Sequence, residues 1–495
     1  MALVPLLIAL ARPASTRPRR AFLLGFLTGL VYFSGTLYWL TDVMTTFGDL
    51  GRGTAIAVAL LLIVYLSLYP ALAAYVVGRG VRAFGVRALW AMPLAWMAGE
   101  YGRRHIISGF PWEPLGNSQV DVTPIAQAAS LVGVDGLSGI VALGSVALAW
   151  LIVGPAGRRR YLPVAAVAVV LAALAGWGAH RVAAGELLTA GAAVRVGLVQ
   201  GNVAQGEKWN DALADRIYAR YLAMSRQAIQ RGATLVLWPE SATPFMFEER
   251  PEAEAIRLLA RETGARLFIG SDQVERPRPP APPPAAGAVT AAPRPKSKFF
   301  NAAFLIQPTG SVGGVYRKMY LVPYGEYVPL QDILWFAAPL VEQVGGFSPG
   351  ETLTIFHLRE GTFSTGICYE VVYPELSRAA VRQGSQLLTT ITNDAWFGTS
   401  SAPRQHFDMA RLRAIETGRW LARAANTGIT GIVDPYGRVQ TQTALFQDAV
   451  VVGEVRLLDG TTPYVRIGDV CPWIGIAASL ALWLASVRAG RRPGA

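Results

Sequence analysis

The sequence predicts an α/β layered domain carried on a polytopic bundle of transmembrane helices. Three observations predict it. The chain of 495 residues is 52% hydrophobic and only 16% charged, whereas soluble domains sit near about a quarter charged. Its apolar residues gather, at both ends of the chain, in stretches long enough to cross a bilayer. Between them, from about 185 to 467, short β-branched runs alternate with amphipathic segments, as strands and helices do in layered α/β domains.

The candidate spans are 21–41, 54–77, 88–100, 125–153, 161–177 and 474–487 with their flanks. The stretches 88–100 and 161–177 fall short of the roughly 20 residues that a crossing takes. Residues 2–11 are too short to span and lack the basic start and cleavage site of a signal peptide. They read as the end of a helix whose beginning is missing. The expected organisation is a transmembrane bundle over 1–184, a polar domain over 185–467, and a last span with a basic tail over 468–495.

The net charge is +12, and its distribution argues against nucleic acid. Arg17, Arg19 and Arg20 precede the first full span, and Arg79, Arg82 and Arg87 follow the second. Arg158, Arg159 and Arg160 follow the fourth, and Arg488, Arg491 and Arg492 follow the last. With six spans these clusters all fall on one side, which the positive-inside rule makes the cytoplasm. The polar domain then faces the other way, to the periplasm in a bacterium. Arg103 and Arg104 sit in an outside loop and go against the pattern.

The polar domain can be read element by element. "AVRVGLVQ" is a buried strand, and Asp211–Gln230 a helix with apolar residues at helical spacing. "ATLVLWPES" and "ARLFIGSDQ" are strands around a helix at 251–263. Residues 299–307 and 311–318 form a hairpin around "PTGS". "TFSTGIC" and "SQLLTTITNDAW" are strands separated by a helix at 374–383, and strands near Trp420, Gly428 and Val450 close the domain. The Pro/Ala-rich insertion 275–297 cannot pack a core and reads as an extended surface segment.

Three stretches place chemistry-bearing residues at the ends of buried runs: "LVLWPES" with Glu240, "YRKMYLVPYGEYVP" with Lys318 and Glu326, and "GICYE" with Cys368 and Glu370. Ligands gather at the C-terminal ends of strands in α/β domains. Each residue also has a plainer reading. Glu240 caps a following helix, Lys318 is a solvated cation on a hairpin, and Cys368 is a small buried hydrophobe. The second of two cysteines, Cys471, opens the last apolar span, so a disulfide between them is not expected. Together the three residues supply what a nucleophile needs: a thiol, a base to take its proton, and a cation for a developing oxyanion. The backbone N–H of Tyr369 is a second candidate donor. Of the four histidines, only His406 is placed to rival Glu240 as base. No HExxH, CxxC or acid cluster suggests a metal, and no Walker A or GxGxxG suggests a nucleotide, so no cofactor is expected.

"WPES", "RKMYLVPYGEYVP", "GICYE" and "TNDAWFG" resemble, in order and spacing, the Glu–Lys–Cys motifs of the nitrilase superfamily. "VQGNVAQGEKW", "FPWEPLG" and "NTGITGIVDPYG" are similar to the membrane-bound apolipoprotein N-acyltransferase family within it. The resemblance spans nearly the whole chain. It implies an α-β-β-α sandwich and a catalytic trio of Glu240, Lys318 and Cys368. It carries supporting roles onto Glu326, Tyr369, Glu370 and Trp209, and places Asn301, Trp396 and Arg404 in matching motifs. It further implies transfer of an acyl chain from a phospholipid, through a thioester, to a diacylated apolipoprotein. The implied setting is the bacterial inner membrane, with the catalytic domain on the periplasmic side and a monomeric enzyme. The segments 243–247 ("TPFMF") and 332–347 then read as loops whose aromatics dip into lipid. The rivals are a membrane-bound amidase that hydrolyses its acyl-enzyme and a catalytically dead scaffold.

Overall fold

The computed structural model describes residues 2–12, 17–107, 109–208, 210–277, 297–323, 325–327 and 346–490. Among the described residues, five helical stretches are long and apolar enough to cross a membrane: Pro18–Leu37, Arg52–Phe84, Ala129–Val153, Arg158–Thr189 and Val470–Ala489. A short helix, Val4–Ala11, buries Leu6, Leu7 and Leu10 against them.

The third of the six expected spans, 88–100, departs from expectation. It begins as a 3-10 turn, Val86–Ala91, and only Met92–His105 is α-helical. A helix of 14 residues rises about 21 Å, short of the roughly 30 Å of bilayer hydrocarbon. It is tolerated because it packs against Arg52–Phe84, Ala129–Val153 and Val470–Ala489. Its end carries the two arginines that break the charge pattern. Arg103 donates to the carbonyls of Phe110 and Trp112. Arg104 pairs with Asp135 at 2.8 Å and lies near Asp469 and Glu375. Both side chains are buried and spent on partners; Arg103 braces the segment that follows its own helix, and Arg104, through Glu375, ties the bundle to the domain above it.

The helices Pro18–Leu37 and Arg52–Phe84 cross at a small-residue seam. Gly25 and Gly29 are one turn apart, in the spacing that lets membrane helices approach closely. A Cβ at Gly25 would lie 2.5 Å from Ala74 Cβ, and one at Gly29 2.7 Å from Ser67 Cα.

Among the described residues, the polar domain holds two six-stranded sheets. One has the order β12-β1-β2-β3-β4-β5 and the other β11-β10-β9-β8-β7-β6. The first joins β1 (Ala192–Gln200), β2 (Leu235–Leu237), β3 (Arg266–Glu275), β4 (Lys298–Ile306), β5 (Val312–Arg317) and β12 (Ala449–Leu457). The second joins β6 (Phe356–His357), β7 (Thr362–Ile367), β8 (Leu388–Thr392), β9 (Leu421–Ala425), β10 (Gly431–Val433) and β11 (Val439–Gln442). Period-two alternation turns Val194, Val196 and Leu198 of β1 inward, where they meet Ile367, Ile391 and Ala422 from the facing sheet. Helices Asp211–Gln230 and Glu254–Thr263 cover the outer face of the first sheet. Helices Pro374–Arg382 and Ala402–Thr417 cover the second. The layers run α-β-β-α, as the resemblance implied. The outer cluster of the second sheet also takes in Phe33, Trp39, Ile63 and Trp112 from the membrane part. The entering strand β1 and the leaving strand β12 pair antiparallel, from Ala192 opposite Leu457 to Gln200 opposite Ala449.

The seam yields a prediction. Gly29→Leu should abolish recovery of folded, detergent-soluble protein, because overpacking forces the two helices apart. Gly35→Leu should leave recovery unchanged, since nothing lies within 4 Å of a Cβ there. Size-exclusion profiles of the two variants compare them directly.

Candidate active site

Cys368 follows the last residue of β7 and opens the 3-10 turn Cys368–Val372. Its φ is +52°, a left-handed conformation that a non-glycine residue holds at a cost of about 1–3 kcal/mol. The turn bends the chain sharply out of the sheet and leaves the Tyr369 N–H at the head of a 3-10 segment, where an N–H has no partner within the turn.

Glu240 lies just beyond β2, in a turn that presses onto β3. Gly270 of β3 makes room for it: a Cβ there would lie 2.1 Å from the Pro239 carbonyl oxygen and 2.8 Å from Glu240 Cα. No helix starts at Glu240, so it is not a helix cap. Its carboxylate instead accepts from Asn301 Nδ2 at 2.7 Å, Lys318 Nζ at 3.1 Å and the Asn393 N–H at 2.8 Å. Lys318, just past β5, is 1% exposed, the opposite of a solvated hairpin lysine. Its ammonium also donates to Glu326 at 2.9 Å. Glu326 accepts from Asn301 at 3.1 Å and from the Val322 N–H at 2.7 Å. Asn301 faces two carboxylates, which fixes its amide with nitrogen toward them.

The electrostatics assign protonation states. Burial pushes the Glu240 carboxyl up, but Lys318, Lys208 and the Asn301 amide override it and hold the group below its usual range. Burial would depress Lys318, yet Glu240 and Glu326 keep it well above an ordinary lysine. Burial and the neighbouring Glu240 push the Cys368 thiol up. The resting site therefore holds a neutral thiol beside an ionised acid and an ionised lysine.

Glu370 is fully buried and is the hinge of the arrangement. Its Oε1 accepts from the Tyr316 hydroxyl at 2.8 Å and the N–H groups of Met319 and Tyr320 at 2.6 and 3.1 Å. Its Oε2 accepts from the Ile367 N–H at 2.7 Å. One carboxylate thus clamps the lysine segment to the cysteine turn. Burial pushes its pKa up to about 7, against the pull of these donors.

His406 does not face the thiol with a free lone pair. Its Nε2 lies 3.1 Å from the Cys368 carbonyl oxygen, and its Nδ1 lies 3.0 Å from both Asp394 Oδ1 and Arg423 Nη2. Both ring nitrogens of His406 are thus engaged away from the thiol.

A family model described as carbon-nitrogen hydrolase matches residues 195–461, and one described as the apolipoprotein N-acyltransferase N-terminal domain matches residues 1–147. An apolipoprotein N-acyltransferase of Geobacter metallireducens is 42% identical, over 97% of this chain and 89% of that one. The chain belongs to the apolipoprotein N-acyltransferase family. A second relative of that name, from Methylococcus capsulatus, is 34% identical over 94% of this chain and 87% of its own. Among solved structures, a mutant of the Nesterenkonia AN1 amidase from the nitrilase superfamily is 20% identical at a TM-score of 0.40, covering 55% of this chain and 93% of that one.

Within this N-acyltransferase framework the other expected residues fall into three groups. Asn301, Glu326, Tyr369 and Glu370 lie with the trio. Trp396 lies on the turn after β8, its ring edge-on to Phe47 of the membrane part at 5.0 Å. Arg404 is not brought to the site: it is half exposed and pairs with Asp408 at 2.9 Å on its own helix. Trp209, the loop aromatics Trp335 and Phe336, and most of the insertion 275–297 lie outside the described residues. The segment 243–247 does not reach for lipid. Phe247 is buried beneath Arg257 and against Phe304, and Phe245 packs on Tyr218. Two contributors escaped the sequence reading. Asn393 offers only a backbone N–H, although "TNDAWFG" contains it. Lys208, in "EKW", donates to the Glu240 carbonyl at 3.0 Å, where it braces the Glu240 turn from behind.

Glu370→Gln keeps the shape but turns an N–H donor toward one of four N–H or O–H groups. It should cost about 1–3 kcal/mol of stability and slow acylation of Cys368 by about 10-fold or more. Thermal unfolding in detergent and single-turnover acylation check both, and an unchanged acylation rate contradicts the clamp.

Proposed function

We propose that this chain acts as an apolipoprotein N-acyltransferase. It moves an acyl chain from a phospholipid to the α-amine of a diacylglyceryl-cysteine at the N-terminus of a lipoprotein, through a thioester on Cys368. The observation that carries this reading is the strained cysteine turn beside an ionised Glu240–Lys318 pair, in a domain packed directly onto membrane helices.

The chemistry divides into two half-reactions. Glu240 takes the thiol proton as Cys368 Sγ attacks the ester carbonyl of the phospholipid. Lys318 and the Tyr369 N–H stabilise the oxyanion. The ester C–O bond breaks, and Glu240 returns the proton to the departing lysophospholipid oxygen. The lipoprotein α-amine, entering neutral, then attacks the thioester carbonyl. The C–S bond breaks, and the amine proton passes through Glu240 to the thiolate. Glu326 holds Lys318 in place, Asn301 aligns the two acids, and Glu370 holds the turn. The family resemblance carries substrate-binding roles onto Trp209 and Trp396, and Arg404 has no part in the chemistry. The two covalent stages let one site serve two lipid substrates in turn.

The charge pattern supports a location. Pro18–Leu37 starts, and Arg52–Phe84 and Val470–Ala489 end, at arginine-rich segments. Counting Met92–His105 as the short sixth crossing puts these clusters on one side of the membrane, which the positive-inside rule favours as the cytoplasmic side of a bacterial inner membrane. The catalytic domain then sits on the periplasmic side, where both substrates lie in the adjacent leaflet, and the protein works as a monomer.

Purified protein given phospholipid and a diacylated lipopeptide should release lysophospholipid and N-acylate the peptide. Cys368→Ala should lose about 1,000-fold or more in turnover and form no acyl adduct by mass spectrometry. A stable phospholipid-derived adduct on Cys368→Ala would sink the scheme, and free fatty acid without N-acylation would make the protein a hydrolase. Glu240→Gln should slow the first half-reaction with its fold intact, read as a lower rate of adduct formation on an unchanged unfolding curve.

A further inference from the structure

The cysteine turn is strained, so something has to hold it. A left-handed non-glycine residue persists only where its surroundings over-determine it. At Cys368 the holding contact on the carbonyl side comes from His406, 3.1 Å away through Nε2. A carbonyl only accepts, so Nε2 carries the proton and donates. The ring itself is locked. Asp394 accepts from the Thr392 hydroxyl at 2.8 Å and from Arg423 at 2.8 Å, and both Asp394 and Arg423 bracket His406 Nδ1. All four side chains are fully buried or nearly so.

The next residue back on the same helix is gripped from the membrane part. Gln405 Oε1 accepts from Trp112 Nε1 at 2.8 Å and from Trp39 Nε1 at 3.2 Å, and its Nε2 donates to the Thr36 carbonyl at 3.2 Å. The Trp112 ring also lies over the His406 ring, centroids 5.6 Å apart and 28° from parallel. Trp39 and Thr36 belong to the end of the first long membrane helix and its continuation, and Trp112 to the "FPWEPLG" segment. A continuous set of contacts therefore runs from two membrane-side indoles, through Gln405 and His406, to the backbone of the nucleophile.

We infer that His406 is a positioning residue for the Cys368 thiol, and that Gln405 makes the set of the cysteine turn depend on how Trp39 and Trp112 of the membrane part are seated. The inference rests on Cys368 being the nucleophile. It makes the membrane segments more than an anchor: they complete the geometry of the catalytic turn. His406 does this without exchanging a proton with substrate.

The test uses full-length protein in detergent with dioleoyl phosphatidylethanolamine micelles, and reads the rate of acyl-enzyme formation. His406→Leu should slow acylation by about 100-fold with KM unchanged, while His406→Gln, whose Nε2 reaches the same position, should stay within roughly threefold of wild type. Gln405→Leu should slow it by about 10-fold, although Gln405 touches neither the turn nor substrate. The double variant His406→Leu/Gln405→Leu should be no slower than His406→Leu alone, the signature of one shared path. Wild type and His406→Gln should share one pH profile. The inference is overturned if Gln405→Leu acylates at the wild-type rate. It is also overturned if His406→Gln is as slow as His406→Leu, which would make His406 a proton carrier. Alkylation of Cys368 by a small thiol reagent, in a Cys471→Ala background, reads the turn apart from the reaction. If wild type alkylates faster than His406→Leu yet forms no acyl adduct, the acyl-transfer reading fails and the positioning role stands.

Discussion

The site depends on one buried ammonium. Taking a lysine out of water costs several kcal/mol, and the cost is recovered only where geometry and further hydrogen bonds are good. Lys318 meets that condition by bridging Glu240 and Glu326, with Asn301 donating to both acids. These four residues come from the ends of β2 and β5, the middle of β4 and the segment beyond β5. None of them is stable in place without the others. Removing the lysine would strand two carboxylates in a buried site, and removing one acid would leave the cation short of partners. The same network keeps Glu240 ionised next to a protonated thiol, which is the state a general base needs before it acts.

Much of the architecture was legible because it is written in local periodicity. Val194, Val196 and Leu198 alternate as an inward strand face must, and Asp211–Gln230 shows the helical spacing that the fold displays. The trio was legible for a different reason. Glu240, Lys318 and Cys368 each stand where an apolar run stops, the place where a strand's end faces the site. Contacts made by backbone groups were not legible. The Asn393 N–H that holds Glu240, and the three backbone N–H donors on Glu370, depend on which loops meet, and no composition or spacing records that. Arg404 misled because its motif neighbours do line the interior. A helix gives its residues different faces, and Arg404 looks outward while His406, two positions on, looks in. The "TPFMF" aromatics misled through chemistry alone, since a phenyl ring suits a protein core as well as a lipid surface.

The two sheets are not equivalent in what covers them. Helices on the first sheet have one face on the strands and another open. On the second, Ala402–Thr417 is buried along almost its whole length, because strands lie beneath it and membrane helices above. That explains its lack of a polar face, and the buried Arg411, Arg413 and Glu416 that find partners within the layers. Arg103 and Arg104 belong to the same junction. A charge count treats them as topology signals, whereas the fold uses them as fasteners.

The pairing of β1 with β12 has a wider consequence. The strand that enters the catalytic domain and the strand that leaves it are paired along their full length within the first sheet, so the chain passes between bundle and domain at two adjacent points. A body held by a single linker swivels, but one whose two crossings are paired, and whose helices also pack on the bundle, keeps a fixed heading above its support. The same pairing makes the domain a cassette. Its ends lie side by side, so it can be cut out or replaced at one point without rethreading any membrane helix.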